Sequence, residues 1–188
     1  MLGIAVEEIY LQTKDKKFLK EVLPKIEKYY LWLKNNRTSK NGLLFIVHPW
    51  ESTDASPTFN LGNNPVSFYF NCYKILWGIK KFKFIDPFFN AVYAVNLQSL
   101  FRLTKNLNYN KNAKNILFKL IEKTLTINPV TLSDISLLII GGLPRNIAEK
   151  LVEKLMDKNL FWTDFPLSFV SVSDRSFNPN YDKLLLWR

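Results

Sequence analysis

Apolar residues recur three or four positions apart along most of this chain, the period of a helix face. Between 15 and 35, Phe18, Val22, Ile26, Tyr30 and Leu33 fall on one side. The turn-rich stretch from Asn35 to Asn41 closes that helix. Residues 43–47, Leu-Leu-Phe-Ile-Val, form a short apolar run that reads as a strand or a buried extended segment. Residues 48–64 lose the helical period and end among Asn, Gly and Pro, so a long loop is expected there. Long loops inside compact domains are usually functional. A second helix is expected from Pro65 to about Phe82. A third opens at Asp86-Pro87, a capping residue followed by proline at the first helical position. Its stripe is Phe89, Val92, Tyr93, Leu97, Leu100 and Phe101. A fourth covers 111–124, with Ile116, Leu117, Leu120 and Ile121 on one side. A fifth is expected over 131–140, with Thr131 or Ser133 near its start. From Pro144 to Asp157, Ile147, Leu151 and Leu155 repeat every four residues. Residues 159–188 are again irregular and rich in aromatics, Asp and Pro.

This layout predicts an all-α fold of about six or seven helices with two long loops. No linker or tandem repeat interrupts it, so residues 1–188 read as one domain. Helices joined by short connections pair into hairpins, as in bundles, solenoids and α/α barrels. Composition narrows the function. At 47% hydrophobic residues the chain has the material for a core. The single Cys72 leaves no internal disulfide framework or cysteine-based zinc site, and the single His48 no multi-histidine metal centre. No metal or other cofactor is expected. The net charge of +10 is carried by lysines scattered along helix faces, which reads as a solvated surface. No nucleic-acid or membrane partner is expected. The acidic start at Glu7 and Glu8 does not resemble a secretory signal, so a cytoplasmic location is the default expectation.

Two segments carry chemistry. The first is His48-Pro49-Trp50-Glu51-Ser52-Thr53-Asp54-Ala55-Ser56-Pro57. It gathers two carboxylates, an indole, an imidazole and three hydroxyls in ten residues. Sugars are bound by such sets: aromatic faces stack on ring C–H groups, and carboxylates accept hydroxyl hydrogen bonds. Glycoside hydrolysis also needs a carboxylic acid to protonate the leaving oxygen. Turn and cap chemistry explains the same residues without any site. The second segment, Asn159 to Ser168 and on through Asp174 to Trp187-Arg188, again mixes aromatics with Asp and Ser. A plug across helix ends explains Phe161, Phe165 and Leu167 equally well.

Together these residues resemble the α/α-barrel glycoside hydrolases of family 63 and the related mannosylglycerate hydrolase-like enzymes. The family's His-Pro-Trp-Glu-Ser-Gly-x-Asp-Asn-Ser-Pro loop is similar to residues 48–57. Its Asp-Pro-x-Phe-Asn helix opening resembles Asp86-Pro87-Phe88-Phe89-Asn90. Its Phe-Trp-x-x-x-Pro-x-x-Ser-Val-x-x-x-Asp segment resembles Phe161 through Asp174, and its Tyr-Trp-Arg-Gly element resembles Leu186-Trp187-Arg188. The four occur in the family's order. The resemblance implies an inverting hydrolase of an α-glucoside or α-mannoside, with no cofactor. It implies Asp54 as general acid, Trp50 in the sugar subsite, Glu51 supporting the loop or binding a hydroxyl, and Trp187 and Arg188 on the far wall. The loop departs from the family pattern by one deleted residue, and Ala55 replaces the Asn after the acid.

A complete barrel of this family has twelve helices, and its general base belongs to a segment beyond the position of Arg188. The resemblance therefore implies a partial (α/α)6 toroid. Its uncovered faces would need self-association or a complementing C-terminal half. Two other classes compete. One is a carbohydrate-binding or inert remnant without turnover. The other, resting on charge alone, is a basic helical nucleic-acid-binding module. His48 reads as a structural hydrogen-bonding residue, Cys72 as core and Asp86 as a helix cap. Asp164 and Asp174 read equally as sugar ligands or loop caps.

Overall fold

The computed structural model describes residues 2–52, 57–62, 65–126, 131–162, 167–168, 170–173 and 177. Among them run seven helices: α1 Leu2–Thr13, α2 Lys16–Arg37, α3 Pro65–Leu76, α4 Pro87–Thr104, α5 Leu107–Thr126, α6 Leu132–Ile135 and α7 Arg145–Met156. Short 3-10 turns occupy 49–51, 57–59 and 136–139. The described residues form no sheet, only three isolated antiparallel bridges: Thr38 with Leu44, Ile46 with Phe84, and Thr131 with Val170. The architecture is all-α, as the periodicity predicts.

Helix α4 is the centre. Asp86 caps it, accepting from the amides of Phe88 (3.3 Å) and Phe89 (3.4 Å), and Lys105 closes it in the left-handed conformation. Only Lys105 and Asn106 separate α4 from α5, and the two helices pack side by side. Ala91, Ala94, Leu97 and Leu100 of α4 are buried with Ala113, Leu117 and Leu120 of α5 and Leu137. Long-range polar contacts hold the rest to α4. Asn96 Oδ1 accepts from the amides of Gly3 (2.8 Å) and Ile4 (3.3 Å), satisfying two orphan donors at the start of α1. The buried Glu7 pairs with Arg102, whose Nη2 lies 2.6 Å away.

Three elements differ from the periodicity. Helix α1 is additional to the predicted ones, because its cap comes from Asn96 rather than from its own neighbours. Helix α3 stops at Leu76 instead of Phe82. Gly78 (φ +72°) takes the left-handed turn, and the Ile79 amide donates to Lys74 O (2.8 Å), a glycine-closed helix end. That stop frees the following residues to extend until Phe84 pairs with Ile46 through bonds of 2.9 and 3.1 Å. The fifth predicted helix is one α-turn followed by a 3-10 turn. Thr131 and Asp134 form a capping box around its start. Gln98 of α4 then grips the Gly141 backbone, donating to its carbonyl (2.6 Å) and accepting from its amide (3.2 Å).

Candidate functional site

The chain enters the first chemical loop along the buried extended segment 43–47. Leu44 is clamped by the side chain of Asn90 on α4. Its amide donates to Asn90 Oδ1 (2.7 Å) and its carbonyl accepts from Asn90 Nδ2 (2.8 Å). Both groups are buried, so the Asn90 amide replaces a neighbouring strand. Ile46 is held on its other side by Phe84. The loop therefore begins from a fixed base.

His48 then locks the loop to α3. Its Nε2 lies 3.2 Å from the Cys72 carbonyl, and its Nδ1 accepts from the Trp50 amide (3.2 Å). Both contacts fit the neutral tautomer with the proton on Nε2. Cys72 itself lies in the core beside Ile46, Phe59, Leu61 and Phe68, and burial raises its thiol to about 11. The Trp50 ring packs against the imidazole, 4.6 Å between centroids, yet stays 43% exposed.

Glu51 faces back toward α2. Its two oxygens accept from Nη1 and Nη2 of Arg37, both at 2.9 Å, and one also accepts from the Val47 amide at 2.8 Å. Burial works against its charge, but the Arg37 guanidinium and the backbone amides outweigh it and hold the carboxyl below the usual carboxylate range. This carboxylate is engaged as a brace for the loop entrance.

Ser52 donates to Asp86, and so does Ser133 of α6. The same buried carboxylate thus caps α4, holds the loop and ties down α6. Lys123 of α5 donates to the Ile85 carbonyl (2.8 Å) beside this hub. Burial pulls the Lys123 ammonium below its usual range, against the opposing pull of Asp134 and Asp86. Asp86 exceeds its sequence reading as a simple cap. No local pattern reveals this, because its partners lie 34 and 47 residues away.

Of the predicted site residues, Trp50 and Glu51 are placed as above. Asp54, Trp187, Arg188, Asp164 and Asp174 lie outside the described residues. Periodicity alone gave no role to Tyr73 and Trp77 of the α3 end. The Tyr73 ring stands 6.2 Å from Trp50 at 89°, and the Trp77 ring lies 5.7 Å from Tyr73 at 31°. Among the described residues, no three His, Cys, Asp or Glu side chains converge as metal ligands. No helix there is long and apolar enough to cross a membrane.

The family described as the mannosylglycerate hydrolase MGH1-like glycoside hydrolase domain matches residues 1–119. That span is well over half the chain and contains both the 48–57 loop and the Asp86 helix opening. The chain belongs to this family. The segments around 161–174 and 186–188 lie beyond the matched residues. Among solved structures, the family 63 mannosylglycerate hydrolase of Thermus thermophilus, in complex with glucose, superimposes with a TM-score of 0.76 at 20% identity. The superposition covers 94% of this chain and 55% of that one. An uncharacterized conserved protein of the same organism superimposes equally well, over 57% of its length. At this identity the likeness is one of fold. The chain spans about half the length of these two solved proteins. No curated protein sequence matches significantly.

Proposed function

We propose that this MGH1-like domain forms part of an inverting glycoside hydrolase acting on an α-glucoside or α-mannoside. The observation that carries the reading is the family match over residues 1–119, which includes the His-Pro-Trp-Glu-Ser loop. In this reading Asp54 gives its proton to the glycosidic oxygen as the bond to the anomeric carbon breaks. Water attacks that carbon from the opposite face while a second carboxylate takes the water's proton. That base lies in the part of the toroid that these 188 residues do not span. Trp50 offers an exposed ring to the sugar. Glu51 acts as support for the loop, since Arg37 and Val47 engage both its oxygens. Trp187 and Arg188 take the far wall, as the family pattern implies.

A second reading, carbohydrate binding without turnover, draws support from the loop, shortened by one residue against the family pattern. One experiment separates the two. Hydrolysis of unactivated α-glucosides and α-mannosides by the full native polypeptide is followed by NMR of the released anomer. Turnover with inversion, lowered by about 10²-fold or more in Asp54→Asn, is the expected result. Sugar binding with no turnover supports the second reading, and turnover unchanged by Asp54→Asn removes Asp54 as the acid.

A further inference from the structure

Helix α3 is apolar on two opposite sides. Phe68 and Cys72 are buried in the loop-side cluster, with Ile75 packed against it. Val66, Tyr69, Phe70, Tyr73, Leu76 and Trp77 are all exposed on the other side. Contiguous exposed apolar surface of this kind marks an interaction site. We infer that Tyr73 and Trp77 extend the Trp50 loop into a platform for a glycan of more than one sugar unit. This rests on the carbohydrate reading of the loop above.

A row of three exposed rings, running from the Trp50 loop along the helix end, favours a glycan over an apolar helix. The Tyr73 and Trp77 rings are in tilted contact, 5.7 Å between centroids at 31°, and both are exposed, so they present one contiguous aromatic surface. Trp50 meets Tyr73 edge-on, 6.2 Å between centroids at 89°, and joins this surface to the start of the predicted acid loop. The indole nitrogens of Trp50 and Trp77 and the Tyr73 hydroxyl make no hydrogen bond among the described residues, and all three side chains are exposed. Rings with a polar tip suit a ligand whose C–H faces stack while its hydroxyls bond the tips. The platform is also preformed. His48 ties the loop to α3 through the Cys72 carbonyl and backs the Trp50 ring. Gly78 closes the helix just after Trp77. A surface already rigid loses little entropy on binding.

The test is a binding titration of the full native polypeptide with glucose through maltotetraose and with α-linked mannose oligomers of the same lengths. It is followed by calorimetry and by tryptophan fluorescence. Affinity should rise about tenfold or more from the monosaccharide to the tetrasaccharide in one series, the worth of one good aromatic contact. Tyr73→Ala with Trp77→Ala should flatten that rise to within about twofold. Trp50→Ala should weaken every length. Circular dichroism of the variants checks that the helix persists. Short sugars bound with no gain from length, or a gain that survives the double variant, overturn the platform and leave the hydrolase reading standing. No sugar bound at any length overturns both. A wild-type dimer that the double variant turns into a monomer, with sugar binding unaltered, assigns the face to a second copy and overturns the platform.

Discussion

Helices α4 and α3 are both rich in aromatic and aliphatic residues, yet they are finished differently. Helix α4 is enclosed by α1, α5 and the 136–139 turn. Its polar side chains are engaged as tethers: Asn90 on Leu44, Asn96 on Gly3 and Arg102 on Glu7. Helix α3 encloses only one side. Its other side ends in bare rings, and Trp77 is 67% exposed. A helix that is apolar on two opposite sides can bury only one of them in its own core and offers the other as an interaction surface. Among the described residues α4 is thus covered by its neighbours, while the outer side of α3 is open where the chemical loop arrives.

The strongest test of this contrast is paired truncation. Leu100 is fully buried in the framework, so Leu100→Ala should lower the unfolding free energy by about 3–4 kcal/mol in urea titration. Trp77→Ala removes a larger side chain from the open face and should change it by less than about 0.5 kcal/mol. Comparable losses at the two positions would mean that the outer face of α3 is already packed in solution, and the contrast would collapse.

What the sequence revealed follows from the range of the interactions. The start of α4 was legible because Asp86 and Pro87 act on their immediate neighbours. The stripes of α2, α4, α5 and α7 were legible because burial there follows the helical period. Helix α1 was not, because Leu2, Ile9 and Leu11 are exposed while Gly3 and Glu7 are buried. That reversal is decided by Asn96 and Arg102, more than 90 residues away. The early end of α3 carried a visible signal in Gly78, which the apolar run through Phe82 obscured. At the site, the aromatic loop was legible as residue types. The clamp of His48 on Cys72, the brace of Arg37 on Glu51 and the hub at Asp86 were not, because each joins residues whose spacing follows no period.

A smaller effect tests how the two regions are joined. Asn90→Ala leaves the buried amide and carbonyl of Leu44 without their partner, at a cost of about 2 kcal/mol. Amide hydrogen exchange locates the damage. Protection should fall from Leu44 through Ile46 and into the loop, while α5 keeps its own. If protection falls evenly through α4 and α5 instead, Asn90 is an ordinary core residue and the framework does not hold the loop through it.

The smallest expected effect is a pH dependence within the framework. The Arg102 hydrogen bond lowers the pKa of Glu7; burial opposes it, and Ser99 and the charge of Arg102 add to it. A carboxyl with a depressed folded pKa binds fewer protons in the native state than in the unfolded one. Its contribution is therefore fully present above the unfolded glutamate pKa and is lost as pH falls through the folded value. Arg102 is half exposed, which limits the gain at neutral pH to about 1 kcal/mol or less. Glu51 is depressed in the same direction by Arg37 and the Val47 amide, so acid weakens both regions together. Glu7→Gln separates them. The stability gap between wild type and this variant should shrink as pH drops from neutral through the carboxylate range, leaving the loop's own acid sensitivity behind. A gap that stays constant with pH would show that Glu7 contributes through packing alone, and that the framework owes nothing to this charge pair.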